Sequence, residues 1–243
     1  MKKAIGYVYV IAAAVCWGFL GLFNRVLTAA GVSLLNMMPL RFGGTAILFT
    51  VFCMMFKQQV FHIKLRHLPI FLGSGLISML LVLCGCALVS GIVGSDVGIS
   101  LEGLLMGLAS ELCYGGYTIF THYGMRYCDS FTMAYWTFLI AGIASLFLAD
   151  GPALLSALAE PRTGLAALGL MVMGTALPFT LYTKGLETVE SGKAAIIANI
   201  EPVMSAVIGV TVFQETLSLW TLVGIVLVLS GVVVLACEKE PDK

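Results

Sequence analysis

An acid, an amide and a proline lie together in one apolar stretch near the carboxyl-terminal end of the chain. Asn199, Glu201 and Pro202 follow a run of small and aliphatic residues. Ionisable residues are expensive inside a membrane segment and usually have a function there. Pro202 has no backbone N–H, so it disturbs the preceding turn and frees a carbonyl near the Glu201 carboxylate. We predict that this carboxylate exchanges a proton or pairs with a cationic substrate; the structural alternative is that it caps or hydrogen-bonds a neighbouring helix.

A second acid shares a helical face with two phenols. Glu111, Tyr114 and Tyr117 are spaced three residues apart, so all three project from one side of a helix. An acid and two phenols on a membrane helix are expected to face a cavity rather than lipid. The sequence therefore predicts that these side chains line a substrate pathway. The alternative is a neutral Glu111 that hydrogen-bonds between helices.

Two further side chains have the chemistry of a pathway. Trp17 occupies the same position as Tyr114 when the chain is compared with itself, which predicts matching aromatic walls; the alternative is an anchor at the membrane interface. Arg41 lies soon after Pro39 inside an apolar segment. It is expected either to reach the outer interface as an anchor or to contact an anionic group.

The composition is that of an integral membrane protein. Hydrophobic residues make up 60% of the 243 and charged residues 11%, and the mean hydropathy is +1.03; soluble domains are about 45–50% apolar and about 25% charged. The net charge of +0 leaves no basic surface for nucleic acid. The seven cysteines show no ligand spacing, so we expect no metal and no cofactor. Because HExxH, GxSxG and P-loop motifs are also absent, we do not expect an enzyme.

Eight segments approach the roughly 20 apolar residues that a helix needs to cross a bilayer. The fold class predicted is an all-α polytopic membrane protein with eight transmembrane helices. Ser33, Ser130 and Ser191 precede segments and are expected as N-caps. The eight segments are Ile5–Val26, Leu34–Phe56, Leu68–Val93, Leu101–His122, Phe131–Ala149, Leu165–Tyr182, Ala194–Val212 and Leu217–Cys237.

Lysine and arginine placement predicts the orientation. Arg162 is the one basic residue in the connections on the opposite side, while Arg25 and Arg41 lie within or at the edge of spans. Cytoplasmic connections carry the excess of basic residues, so both termini are predicted to be cytoplasmic, in the cell membrane. The basic residues that fall on the side of the termini are Lys2, Lys3, Lys57, Lys64, Arg66, Arg126, Lys184, Lys193, Lys239 and Lys243.

The chain matches itself at two offsets. An offset of 97 residues pairs Gly6, Cys16, Gly18 and Phe23 with Gly103, Cys113, Gly115 and Phe120. Residues 81–85 match residues 227–231 at an offset of 146, which is 49 residues more. The first repeat is therefore expected to lack about 49 residues between His67 and Leu81. We predict a shortened repeat of three helices over residues 1–93 and a full repeat of five helices over 94–243, inserted with opposite orientation.

The stretch Tyr182–Cys237 resembles the carboxyl-terminal repeat of the EamA-type drug/metabolite transporter family. The resemblance rests on Gly185-Leu186, Ser191 to Ala195, the Glu201-Pro202 pair and Gln214-Glu215. A full member of that family has ten helices in two inverted repeats around a central cavity. Glu201-Pro202 and the aromatic residues match the family pattern, whereas Glu111 stands where the family usually has a small or apolar residue.

The resemblance implies a secondary transporter, a permease or exporter that moves small metabolites, amino-acid-like compounds or drugs by alternating access. Its partners would be the lipid bilayer and a small-molecule substrate. The helix missing from the first repeat should line the cavity. A homo-oligomer is one way to complete the cavity, with helices from another copy. The alternative is a truncated, transport-inactive structural membrane protein.

Overall fold

The computed structural model describes residues 2–61, 63–89, 101–217 and 219–237. These residues form helices joined by short connections, and no β-strand occurs among them. The helices are α1 (Lys2–Gly18), α2 (Leu20–Ala29), α3 (Leu34–Met38), α4 (Gly44–Phe56), α5 (Leu68–Val89), α6 (Leu101–Gly124), α7 (Ser130–Ser145), α8 (Gly151–Leu158), α9 (Pro161–Met171), α10 (Leu177–Gly185), α11 (Ser191–Ala198), α12 (Ile200–Phe213) and α13 (Leu219–Cys237).

Several of these helices join end to end into membrane-length spans. Four spans of 22 to 26 residues are long and apolar enough to cross a bilayer: Ala4–Ala29, Leu35–Phe56, Pro161–Gly185 and Ser191–Phe213. Helices α5, α6, α7 and α13 occupy the other predicted segments. The all-α polytopic membrane class is thereby confirmed, while the number of eight crossings stays a prediction.

Two spans contain a widened turn of π-helix, at Pro39–Gly43 and at Val172–Ala176. The second widened turn comes just before Pro178, whose ring crowds the carbonyl four residues earlier. Two threonine hydroxyls donate hydrogen bonds to backbone carbonyls next to this second widened turn. Thr175 Oγ1 donates to Leu170 O at 2.9 Å, and Thr45 Oγ1 donates to Met171 O at 3.1 Å. Such side-chain bonds satisfy the irregular backbone inside a membrane. Widened turns of this kind are frequent at functional sites.

Helix packing divides the interior into two clusters. Helix α1 packs along α10 and α12, and α7 packs against α4, α5 and α10. These contacts enclose the larger cluster at the centre of the bundle, whereas α2 and α9 enclose a smaller one with α3. Large apolar side chains such as Phe147 and Leu112 are exposed on the outside. In a membrane protein this outer surface meets lipid.

The two ends of the bundle carry different ion pairs. Helix α4 ends where α7 begins, and there Lys57 Nζ lies 3.2 Å from Asp129 Oδ2. At the opposite end, Arg25 of α2 pairs with Glu215, which follows α12. We refer to these as the Lys57 end and the Arg25 end. Each pair joins elements that are distant in the sequence.

Two glycines lie where the backbone of α7 passes close to the first widened turn. A Cβ added to Gly142 would lie 2.9 Å from Gly43 Cα, whereas a Cβ added to Gly43 would meet nothing within 4 Å. Small residues permit such close packing between membrane helices. The clash at Gly142 would be with backbone, which a side-chain rotation cannot relieve.

We therefore expect Gly142→Ala to destabilise the protein by about 1–3 kcal/mol, the usual range for overpacking. The matched variant Gly43→Ala should be neutral or stabilising by up to about 1 kcal/mol, because alanine favours helix over glycine. Unfolding of the purified protein in detergent measures both. Equal effects of the two substitutions would contradict this packing.

Candidate functional site

The ring of Phe179 lies at the centre of the larger cluster. Its centroid is 5.0 Å from that of Trp17, 5.6 Å from Tyr117 and 5.0 Å from Phe138, and all three pairs are edge-to-face. These rings belong to α10, α1, α6 and α7. One aromatic side chain therefore contacts three other helices.

Two tyrosines extend this group. Trp17 lies 5.3 Å from Tyr182 and 6.4 Å from Tyr114, and the two tyrosine rings are 6.0 Å apart. We call Trp17, Tyr114, Tyr117, Phe138, Phe179 and Tyr182 the aromatic cluster. The structure thus brings Trp17, Tyr114 and Tyr117 together, as a shared pathway requires. Trp17 and Tyr117 are only 3% and 1% exposed, which places them inside the bundle rather than at its surface.

Three polar atoms of the aromatic cluster are buried without a hydrogen-bond partner among the described residues: Trp17 Nε1 and the hydroxyls of Tyr114 and Tyr117. The Tyr114 hydroxyl is close to that of Tyr182, and the Tyr117 hydroxyl is close to those of Thr121 and Thr183, but none of these contacts has hydrogen-bond geometry. The Tyr182 hydroxyl instead lies 3.3 Å from Thr118 Oγ1. A buried polar group without a partner costs about 1–3 kcal/mol. The cluster therefore offers donors that a polar ligand can bind.

Arg41 brings a positive charge to the edge of the aromatic cluster. It lies in the first widened turn and is half-buried, and its Nε donates to Thr175 Oγ1 of the second widened turn at 3.2 Å. Its guanidinium carbon lies 5.9 Å from the Phe179 ring centroid and 5.7 Å from that of Phe42. Arg41 therefore lies at the depth of Phe179 and bridges the two widened turns.

Glu201 lies in the first turn of α12 and is half-buried. Its carboxylate is within electrostatic range of the Tyr114 hydroxyl, so it lies near the aromatic cluster. Asn199 and Pro202 are exposed, and Asn199 Nδ2 donates to Ala195 O at 3.2 Å. The interruption between α11 and α12 falls at Asn199, where the missing N–H of Pro202 weakens the helix. Asn199 and Pro202 thus shape the backbone here without reaching the cluster.

Glu111 is part of α6, one turn before Tyr114. Its side chain lies outside the described residues.

Phe179 and Tyr182 are site residues that were not predicted from the sequence. A signal was present, because these residues are three apart on α10, the same spacing that selected Tyr114 and Tyr117 on α6. Unlike the Glu111 face, however, this pair has no acid beside it. Their contacts with Trp17 depend on how α1 meets α10, which local spacing does not reveal.

Metal ligands were not expected from the sequence. In the part of the chain that the structure describes, no group of three or more His, Cys, Asp or Glu side chains could hold a metal ion.

The model of the EamA-like transporter family matches residues 101–237. The chain belongs to this family. The match covers more than half of the chain and falls within the predicted second repeat. The description of this family and the names of the related proteins below point to a membrane transporter.

Three curated proteins illustrate the relationship. An uncharacterized transporter of Archaeoglobus fulgidus is 41% identical over 68 residues, 28% of this chain and 25% of the relative. The uncharacterized transporter YwfM of Bacillus subtilis is 27% identical over 174 residues, 70% of this chain and 57% of the relative. Multidrug resistance protein EbrB of Bacillus atrophaeus is 33% identical over 87 residues, 35% of this chain and 74% of the relative. The chain thus matches a quarter to somewhat over half of the first two relatives' length.

The unpartnered hydroxyl of Tyr117 yields a test. We expect Tyr117→Phe to leave the free energy of unfolding unchanged or to raise it by up to about 1–3 kcal/mol, because it removes a buried hydroxyl that has no hydrogen-bond partner. Tyr182→Phe should destabilise by about 0.5–1 kcal/mol, since it removes the hydroxyl bonded to Thr118. Denaturant unfolding in detergent compares the two variants. A larger loss for Tyr117→Phe than for Tyr182→Phe would show that the Tyr117 hydroxyl is already satisfied within the protein.

Proposed function

We propose that this chain is a secondary transporter of the cell membrane that moves small metabolites, amino-acid-like compounds or drugs by alternating access. The observation that carries the proposal is the buried aromatic cluster with three unpartnered polar atoms. Ligand sites are mostly apolar, with a few convergent polar groups that fix orientation. An amphipathic molecule would lay its apolar part against the rings and direct its polar groups to the indole and phenol donors.

Opposite charges flank this site. Arg41 contacts Phe179, and Glu201 lies near Tyr114. This pairing suits a molecule that carries a carboxylate and an amine, because each group would meet its opposite charge. The name of the relative EbrB includes multidrug resistance, which supports drug-like compounds as a second class. The proposed pathway includes Trp17, Glu111, Tyr114, Tyr117 and Glu201, with Arg41 as its anion contact. Asn199 and Pro202 contribute by shaping the backbone beside Glu201.

Alternating access requires that each end of the bundle open in turn. The pairs Lys57–Asp129 and Arg25–Glu215 join separate elements at the two ends, and their side chains are about half exposed. Exposed ion pairs contribute only about 0–1 kcal/mol, so either can break during a transport cycle. We propose that they are the closing contacts of the two ends.

The alternative is a transport-inactive structural membrane protein that lacks part of the cavity. It is supported by the predicted shortening of the first repeat. In the transporter hypothesis, a second copy of the chain in a homo-oligomer supplies the missing wall. Particle size in detergent and flux in proteoliposomes separate the alternatives.

The test begins with ligands that raise the unfolding temperature of the purified chain, since any molecule that binds the folded state stabilises it. Amino acids and amphipathic amines form the panel, and radiolabelled hits are then followed into proteoliposomes. We expect at least one hit to be transported. A well-folded protein of defined size that carries no member of the panel would favour the structural alternative.

Glu201→Gln provides the site-specific test. It should reduce flux of a transported hit at least about tenfold, because a neutral amide neither exchanges a proton nor pairs with a cation. Flux is measured at several pH values, with Glu190→Gln as the matched control because Glu190 is exposed at the start of the same span. Unchanged flux of Glu201→Gln across the pH range would remove Glu201 from the mechanism.

We propose that the Lys57 end and both termini face the cytoplasm. A fluorescent protein fused after Lys243 should then fluoresce in cells, and alkaline phosphatase fused there should be inactive. Phosphatase inserted after Leu158, where α8 ends, should be active, because α8 lies on the opposite side. The reverse pattern of activities would invert the orientation.

A further inference from the structure

A cavity of about 650 Å³ opens at the Lys57 end, away from the aromatic cluster. Its walls come from the connection after α4, the first turns of α5 and the connection between α6 and α7. The polar side chains in its lining include Lys57, Lys64, His67, Arg126, Asp129 and Thr132.

Positive charge predominates in this cavity. Lys57, Lys64 and Arg126 each carry a positive charge, and Asp129 is the one carboxylate among the described residues that line it. Asp129 is already engaged, because it accepts hydrogen bonds from Thr132 Oγ1 and from Lys57 Nζ. Burial alone would raise the pKa of Asp129, but these hydrogen bonds hold it below its usual value, so the carboxylate is ionised near neutral pH. Two positive charges remain without a counter-charge from the described lining.

Several basic side chains of the cavity lining lie over aromatic rings. Arg126 lies over the Tyr123 ring at 5.4 Å, and Lys57 lies over the Phe131 ring at 5.0 Å. The His67 ring stacks on Tyr127 with centroids 4.4 Å apart. These contacts keep the positive charges around the same cavity. Like charges repel, so their electrostatic energy would be lower if these side chains lay further apart.

Topology alone does not explain this convergence. The positive-inside rule explains an excess of lysine and arginine on one side of the membrane. It does not require these residues to lie near one another on that side. Lys184 and Lys193 lie at the same end and outside the cavity lining. The clustering of Lys57, Lys64 and Arg126 around one concavity is an additional property of the fold.

We infer that this cavity binds a phosphate group, carried either by an anionic phospholipid or by a soluble phosphate ester. A phosphate offers several acceptor oxygens to the two uncompensated cations, and its charge is opposite to theirs. A phospholipid diester carries one negative charge, and a soluble monoester carries about −1.5 to −2 near neutral pH. The cavity lies where the membrane spans end, at the depth of lipid headgroups, and basic pockets there recognise anionic lipids. The inference does not rest on the proposed transport function, because no residue of the aromatic cluster lines this cavity.

Native mass spectrometry of the full chain, purified in detergent, tests the site with phosphatidylglycerol as the probe and phosphatidylcholine as the zwitterionic comparison. The double variant Lys64→Gln with Arg126→Gln should bind phosphatidylglycerol about twenty-fivefold more weakly, at about fivefold for each charge removed. Lys193→Gln is the matched control and should bind as the unmodified protein does. The charge-preserving pair Lys64→Arg with Arg126→Lys should retain most of the binding.

Glycerol 3-phosphate distinguishes the two carriers, because it has the phosphate without acyl chains. Charge-dependent binding of phosphatidylglycerol alone assigns the site to lipid, and equal binding of glycerol 3-phosphate assigns it to a soluble ester. If the neutral variant aggregates, the salt dependence of binding to the unmodified protein decides, since a two-cation site must weaken as ionic strength rises. Binding that is insensitive to salt, or equal for the two lipids, would overturn the inference.

Discussion

The contacts of the Phe179 ring are the interaction on which the bundle and its site both depend. Lipid is as apolar as a helix surface, so membrane helices associate through close packing rather than through the hydrophobic effect. Phe179 packs edge-to-face on rings from three other helices and contacts Arg41 as well. Edge-to-face ring pairs contribute about 0.5–1.5 kcal/mol each beyond their buried area. The contacts that join the helices are therefore also the walls of the proposed site.

The spans are the part of the fold that the sequence predicted best. The structure has a span at Leu35–Phe56 where Leu34–Phe56 was predicted. Spans can be predicted because the thickness of the bilayer fixes how long an apolar segment must be to cross it. Local details were less predictable. Ser33 is confirmed as an N-cap that accepts from Asn36 N. Ser130 and Ser191 instead begin their helices, and Asp129 and Glu190 precede them as the cap residues. Helix α8, unanticipated in a connection, is capped by Asp150. Such details depend on single hydrogen bonds rather than on hydropathy.

The candidate site was predictable where one helix or the repeat carried the signal. Tyr114 and Tyr117 share a helical face, and Trp17 matches Tyr114 across the repeat, so their selection needed no knowledge of packing. The partners of these residues were not predictable in this way. The position of Arg41 beside Phe179 depends on two widened turns that meet through Thr175. No periodicity in either span indicates that its helix gains a residue there.

The widened turn at Val172–Ala176 also sets the direction in which the side chains after it point from the helix. Leu170 packs in the smaller cluster and Phe179, nine residues later, in the larger one. A regular helix turns about 100° per residue, so nine residues would point these side chains to opposite sides. The residue absorbed by the widened turn reduces that separation to about 80°. One span can therefore serve two adjoining clusters, and losing a single residue from this turn would rotate Phe179 and Tyr182 away from Trp17 while leaving the helix continuous.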